Sequence, residues 1–461
     1  MKIIPLIFVF FVSSCAQHND IIIDNIAFST TFKADGHSKL DTRWWHSFEN
    51  DDLTQLITQG VQENLSLKAR ELRLKSSAID MEIARADYFP DLNLSSSATS
   101  DFSDLGRISS ASFSVSSSWE LDIWGSIAAT ENKAYWEYQG QDALYRARAN
   151  LVAGNIATAW LGLVSEQEKS LVLAHQFQRT KDALRAISRR FSMGKNSVTN
   201  IWQQQKLLKS IEVQQVENLT NRYLHQQTLA LWLGIPTEQL STTQLNSLPI
   251  LPDLPETGIP AQVLKYRPDI EHAFAKIKSA NESLAVAIAA QYPRFTLRAN
   301  YSTSKSSIED LFDDWDGNLI ASLAMPLFDS GTKKLVVEQR KLALKALMFD
   351  YQQVWLEAIA SVNKVLVNET QLLEVAKNLA SQLDLADRTE KLTTIKYLNG
   401  KTNYIDLLKA QESILSLERQ LIDANKRVMI NRILLYRELS HGDFSLISES
   451  NNEIDNKGKQ S

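Results

Sequence analysis

A chain of 461 residues with a net charge of −5 lacks the basic face that nucleic-acid binding needs. Its 44% hydrophobic content and 15 glycines exclude a disordered or fibrous protein. A single cysteine excludes an internal disulfide, and seven scattered histidines show no metal-ligand spacing.

The first element reads as a secretory leader. Lys2 precedes an apolar run, Ile3 to Val12, that is too short to span a membrane as a helix. It ends in Val12-Ser13-Ser14-Cys15, which resembles a bacterial lipobox. Residues 1–14 are therefore expected to be a lipoprotein signal peptide. Cys15 is expected to carry a covalent lipid, with no other cofactor, and 15–50 to form a tether. The plain alternative is an incidental cysteine behind a conventional leader. Position, small neighbours and uniqueness favour lipidation, and more than one acyl chain makes an anchor stable. Ala16 in place of an aspartate favours the outer membrane.

After residue 12 no stretch approaches the roughly 18 apolar residues of a spanning helix, so any membrane crossing falls to strands. A helix is expected over 51–88. A strand hairpin follows at about 92–124, where Phe113, Val115, Trp119, Leu121 and Ile123 alternate with serines, Glu120 and Asp122. Its loop, Ser100 to Arg107, is polar. Helices are expected over 127–191 and 197–233, on either side of Gly194. Four prolines mark a linker at 249–260, and a helix follows over 259–292 with Pro268 in its first turn. A second hairpin, at about 295–328, has Phe295, Leu297, Ala299 and Tyr301 alternating with polar residues, and then a Ser- and Asp-rich loop from Ser302 to Gly317. Helices over 332–398 and 403–440 flank Gly400, and a polar tail covers 441–461.

No proline falls between Pro90 and Pro236 or after Pro326, which permits helices of about 90–100 Å. Leu407, Ile414, Leu421, Val428 and Leu435 recur every seven residues, the mark of left-handed coiled-coil packing. Charged residues beside this seam (Glu412, Glu418, Arg419, Lys426) read as solvated flanks. Strands of about 9–11 residues suit a tilted membrane crossing, with Trp119, Trp124, Tyr301 and Phe328 as interfacial aromatics. Four strands cannot close a barrel, since the smallest single-chain barrels have about eight, so spanning requires oligomerisation.

The chain also repeats itself. Gly194 and Gly400 stand 206 residues apart in matching surroundings, and Ala86-Asp87-Tyr88-Phe89-Pro90 is echoed by Ala289-Ala290-Gln291-Tyr292-Pro293. Residues 51–248 and 261–440 thus read as two copies of one unit. No phosphate-cradling glycine loop or nucleophile elbow is present, so an enzyme is not expected.

Taken together the residues resemble the outer-membrane factor family, the TolC-like channels, and in particular its lipidated branch that serves resistance-nodulation-division pumps. The resemblance rests on Trp44-Trp45 with Phe48, on Tyr88 to Leu92, and on Trp119-Glu120-Leu121-Asp122-Ile123-Trp124-Gly125. Leu264-Lys265-Tyr266-Arg267-Pro268-Asp269-Ile270 is the sharpest piece, followed by Ala280-Asn281 and Ala287 to Pro293; Tyr266 stands where the family usually has arginine. The resemblance implies a mainly α fold with a membrane β-barrel. Long coiled-coil helices would form a periplasmic α-barrel, and each protomer of a homotrimer would give four strands to a shared twelve-stranded barrel. It implies a passive exit duct for drugs or other small toxic compounds, handed over by an inner-membrane pump and a periplasmic adaptor protein. The partners are then these two proteins, further copies of the chain and outer-membrane lipid.

The resemblance also places the glycine turns at the periplasmic tips, as gate and adaptor-docking surface. Candidate residues there are Gly194, Lys195, Gly400, Lys401, Thr402, Asn403, Tyr404 and Asp406. Some relatives carry an aspartate two residues after the second glycine. Here Lys401 and Thr402 follow, and Asp406 is the nearest acid, which leaves Asn403 and Tyr404 to close the pore. Read without the family, the turns are plain helix-hairpin turns and the lysines solvated charges. Two rival functions remain: a duct for protein secretion with an ABC exporter, and a lipid-anchored periplasmic coiled-coil scaffold.

Overall fold

The computed structural model describes residues 43–103, 106–240, 248–255, 264–306 and 310–439. Cys15, the leader, most of the tether, the end of the linker and the polar tail lie outside the described residues. The chain divides into two compact units, each drawing on both halves of the sequence. Of the described residues, one contains those in 73–142 and 271–353; the other contains those in 43–72, 143–270 and 354–439.

In the first unit a four-stranded antiparallel sheet runs in the order β1 (Asp91–Ser103), β2 (Gly106–Leu121), β3 (Arg294–Lys305), β4 (Asp316–Ala324). Register sorts the side chains. Leu94 lies opposite Val115, Val115 opposite Tyr301, Trp119 opposite Leu297, and Leu297 opposite Ala321. Residues paired in this way point to one side of the sheet, so one face carries Leu92, Leu94, Phe113, Val115, Phe295 and Leu323. The other carries Asn93, Ser114, Ser116, Arg298 and Asn300. Hydroxyls meet across it: Ser95 with Ser114 and Ser97 with Ser112, each at 2.7 Å. β1 and β4 are edges, and the apolar Leu92, Leu319 and Leu323 are 76%, 76% and 62% exposed.

The loops differ from the reading. The segment Ser100 to Arg107 is mostly strand, because β1 and β2 extend across it. The Ser302–Gly317 loop is not uniformly polar in use. Leu311 is buried, and Trp315 stacks on Tyr301 (4.8 Å) and meets Phe113 edge-on (5.8 Å), returning apolar surface to the sheet.

Each hairpin passes into a long helix through the same device. Asp122 accepts hydrogen bonds from the backbone of Ile127 (3.0 Å) and Ala128 (2.9 Å) behind Gly125, whose φ is +72°. In the second half Asp329 accepts from Gly331 and Lys333, both at 3.0 Å. These carboxylates satisfy first-turn amides that otherwise lack acceptors. The helices they start, α3 (Ser126–Ser192) and α6 (Thr332–Leu398), are 67 residues each. No helix among the described residues is apolar enough to cross a membrane.

Two helix predictions need correction. The expected 51–88 helix is two, α1 (Asp51–Glu63) and α2 (Leu65–Ala86). Asn64 between them is extended, donates to the Trp232 carbonyl (2.8 Å) and caps α2 by accepting from Leu67 N (3.1 Å). A long-range acceptor 168 residues away thus overrides helical continuity. The helix expected over 259–292 is broken at 265–267: Leu264 is helical, and α5 (Pro268–Ala289) starts anew at Pro268, since proline favours a first-turn position, while 259–263 lie outside the described residues. The remaining helices are α4 (Val198–Leu233) and α7 (Tyr404–Leu439), and the latter buries Leu407, Ile414, Val428 and Leu435 of the seven-residue seam.

Candidate functional site at the two helix turns

The turn-bearing parts of two helix hairpins, α3–α4 and α6–α7, lie side by side in the second unit and end in equivalent turns. At each, a glycine adopts a left-handed conformation, with φ +71° at Gly194 and +70° at Gly400. Lys195 N donates to Arg190 O and Lys401 N to Lys396 O, both at 2.8 Å, while the glycine amides bond Phe191 O (2.8 Å) and Tyr397 O (3.0 Å). This pattern closes the last helical carbonyls and needs a residue free of Cβ strain. A Cβ at either glycine would meet nothing within 4 Å, so conformation rather than space demands glycine.

The likeness of the two turns extends to side chains. Asn200 Nδ2 donates to Asn196 Oδ1 (3.3 Å), and at the equivalent positions Thr402 Oγ1 donates to Asp406 Oδ2 (2.6 Å). Lys195, Lys401 and Asn403 are exposed. Tyr404 is not: only 4% of it reaches solvent. Its hydroxyl donates to Gln204 Oε1 on the other hairpin, and Gln204 Nε2 donates to Thr180 O (3.1 Å). Tyr397, 5.6 Å from the Tyr404 ring, donates to Asn196 Oδ1 (2.8 Å) and lies under the Arg190 guanidinium at 5.1 Å. Burial pushes the Tyr404 phenol well above its ordinary range, with Tyr397 and Glu412 adding to the effect. The tyrosine is therefore a neutral donor. Leu173, Ile187, Leu207 and Ile211 pack around the pair.

Of the residues singled out from sequence, the structure brings Thr402, Asp406 and Tyr404 into one hydrogen-bonded region and leaves both lysines in solvent. The partners on the first hairpin, Asn196 and Gln204, and the ring of Tyr397 were missed. Only the 206-residue equivalence of Asn196 with Thr402 could have pointed to one of them.

Away from the turns the hairpins carry charges inside their packing. Glu369 and Arg432 are 3% exposed each, paired at 2.6 Å, and Asn431 donates to Glu369 at 2.7 Å. Arg432 also donates to Pro252 O, tying the proline-rich linker to α7. On the other hairpin Glu166 accepts from Asn218 (2.8 Å) and Lys169 (2.7 Å), and Lys169 reaches Asp423 (2.7 Å). Burial opposes the Lys169 charge, but hydrogen bonds to Asp423 and Glu166 hold its pKa above the ordinary value. The solvated-flank reading fails for three of its four residues. Glu418 accepts from Gln176 (2.5 Å), Arg419 donates to Gln176 (2.8 Å), Lys426 pairs with Asp423 (3.0 Å), and all are half-buried; Glu412 alone is exposed. A neighbouring helix, invisible to a seven-residue count, covers them.

The family model described as "Outer membrane efflux protein" matches residues 56–235 and 259–440. The chain belongs to this family. Curated relatives agree along nearly the whole chain. "Probable outer membrane lipoprotein SilC" of Salmonella typhimurium is 22% identical over 411 residues, covering 88% of this chain and 89% of that protein. "Pyoverdine export outer membrane protein OpmQ" of Pseudomonas aeruginosa is 24% identical over 420 residues, with 87% of each covered. Among solved structures, the outer-membrane channel OprN superposes with a TM-score of 0.81 at 20% identity, covering 88% of this chain and 93% of that one. The outer membrane protein VceC of Vibrio cholerae gives 0.79 at 21% identity, covering 88% and 99%. The fold of this efflux protein is thus that of outer-membrane channels. As the resemblance implied, it is an outer-membrane component of efflux, a transport protein of a non-enzymatic family.

Proposed function

We propose that this efflux protein is a passive, trimeric exit duct whose helix turns form its periplasmic gate. The observation that carries the reading is the sheet. Its register gives one apolar and one polar face, and its two edges, β1 and β4, have no further strand partner among the described residues. Unpaired strand edges are not tolerated in lipid, and an apolar-out, polar-in sheet meets that requirement by closing. Three copies close twelve strands. The chain supplies no energy; an inner-membrane pump, reached through a periplasmic adaptor, hands over drugs or other small toxic compounds. SilC is named a lipoprotein, and Cys15 gives this chain the residue for the same anchor.

At the gate, Tyr404–Gln204 and Tyr397–Asn196 hold the two hairpins of one chain together, and opening requires these contacts to shear. The test is the mass of the purified protein in detergent together with its conductance in a planar bilayer. A trimer with gated currents is the expected result. A monomer without current would withdraw the duct and leave an anchored scaffold.

A further inference from the structure

The charge at the turns is one-sided. From Arg185 to Lys209 the first hairpin has six basic residues and no acid, and between Glu390 and Asp406 the second has Lys391, Lys396 and Lys401 and no acid. The outer members of this set are neutralised. Arg185 pairs with Asp182, Lys209 with Glu212 at 2.6 Å, and Lys391 with Asp387 at 2.5 Å. Nearer the glycines the pairing stops. Arg189, Lys195, Lys206, Lys396, Lys401 and Lys409 are exposed and make no ion pair among the described residues. The one local carboxylate, Asp406, accepts the Thr402 hydroxyl and lies in the first turn of α7, where the helix dipole offsets negative charge.

Lys195 and Lys401 occupy equivalent positions, each immediately after its turn glycine. Both are exposed. Other charged cavities among the described residues lie away from the turns: one carries Glu49 and Asp253, another Lys341 and Lys345. The space of about 650 Å³ at the helix end of the sheet mixes Asp87, Asp91 and Glu120 with Arg294 and Arg298.

We propose that Lys195 and Lys401 make the periplasmic mouth of the duct an anion-selective entrance, so that its preferred cargo is negatively charged small molecules. The inference rests on the trimeric duct with its gate at the turns. In that assembly each chain contributes both lysines, which surround the narrowest part of the path with six positive charges. Rings of lysine or arginine select anions, and a constriction with one sign of charge concentrates counter-ions. The effect is electrostatic and long-range. It therefore weakens as the Debye length falls from about 10 Å at 0.1 M salt to about 3 Å at 1 M.

The test uses the full-length protein in a planar bilayer with unequal KCl on the two sides, reading the chloride-to-potassium permeability ratio. The expected ratio is above one at 0.1 M and approaches one at 1 M. In the Lys195→Glu, Lys401→Glu double variant it falls below one. The neutral Lys195→Gln, Lys401→Gln pair gives an intermediate value and keeps the question open to measurement if the charge-reversed protein does not assemble. Exchanging an existing ion pair, Lys209→Glu with Glu212→Lys, leaves the ratio unchanged. A cation-selective parent, or a ratio untouched by either lysine variant, overturns the anion entrance while leaving the duct in place. Absence of any current from the parent removes the duct and the entrance together.

Discussion

The hydroxyl of Tyr404, at the start of α7, donates to the side-chain carbonyl of Gln204 on α4, so the second hairpin is fastened to the first by a bond spanning 200 positions. Both residues are buried, Gln204 completely. Tyr404→Phe keeps the ring packing and leaves the Gln204 oxygen without its donor. A buried unsatisfied acceptor costs about 1–3 kcal/mol. If the bond holds the gate, single-channel recordings of the variant show a higher open probability with the trimer intact. An unchanged open probability assigns the bond to structure alone.

The turn glycines make a conformational demand with no steric component. Gly194→Ala or Gly400→Ala is expected to destabilise by about 1 kcal/mol, the order of the left-handed penalty for a residue with Cβ. Asparagine, which tolerates that region, costs less, and valine costs more. Urea denaturation of the three substitutions at one site checks the order. Equal losses for Asn and Val would show that the φ constraint is not what selects glycine.

Arg432 and Glu369 form the most enclosed ion pair among the described residues. Arg432→Met strands a buried carboxylate, and breaking such a pair typically costs about 3–5 kcal/mol. Adding Glu369→Leu should return most of that loss, because the uncompensated charge is then gone. Thermal unfolding of the single and double variants separates the two cases. A double variant as unstable as the single one would mean that Arg432 acts through its bond to Pro252 instead.

Histidine 225 packs on Gly162, where a Cβ would come within 2.5 Å of its ring, and it faces Lys426, Glu166 and Lys169. Burial, reinforced by the Lys426 charge, lowers its pKa below the ordinary imidazole value. The unfolded chain thus takes up a proton at a higher pH than the folded one. This stabilising contribution is present above about pH 6.5 and is lost as pH falls towards the folded pKa. Asp423, held low by hydrogen bonds from Lys169 and Lys426 against the opposing effect of burial, loses its own contribution at still lower pH. In His225→Gln the drop in melting temperature between pH 7.5 and pH 5.5 should shrink. An equal drop in the parent and the variant would exclude His225 as its source.

Cys15→Ser tests the anchor. If lipid attachment contributes to membrane retention, mass spectrometry finds no acyl adduct and the variant leaves the membrane fraction more readily on washing. An unmodified Cys15 in the parent protein would end the lipoprotein reading.

What could be read directly from the chain followed local periodicity. Alternation from Ser112 to Trp124, the seven-residue recurrence from Leu407 to Leu435 and the glycines at 194 and 400 depend on neighbours in sequence, and their elements appear within a few residues of where they were expected. Tertiary structure decided what distant segments do to one another. The pairing of β2 with β3 joins strands separated by α3, α4 and α5, Asn64 breaks a helix to reach Trp232, and Trp315 turns a polar loop back onto Tyr301. Lys426 reads as part of a solvated flank and is half-buried where α3 brings Glu166 to 3.9 Å from it. Tyr404 reads from the sequence as a residue that could close the pore, and only α4 supplies the partner, Gln204, that its hydroxyl meets. Burial and hydrogen-bond partnership are properties of two surfaces, and a single strand of sequence specifies one of them at a time.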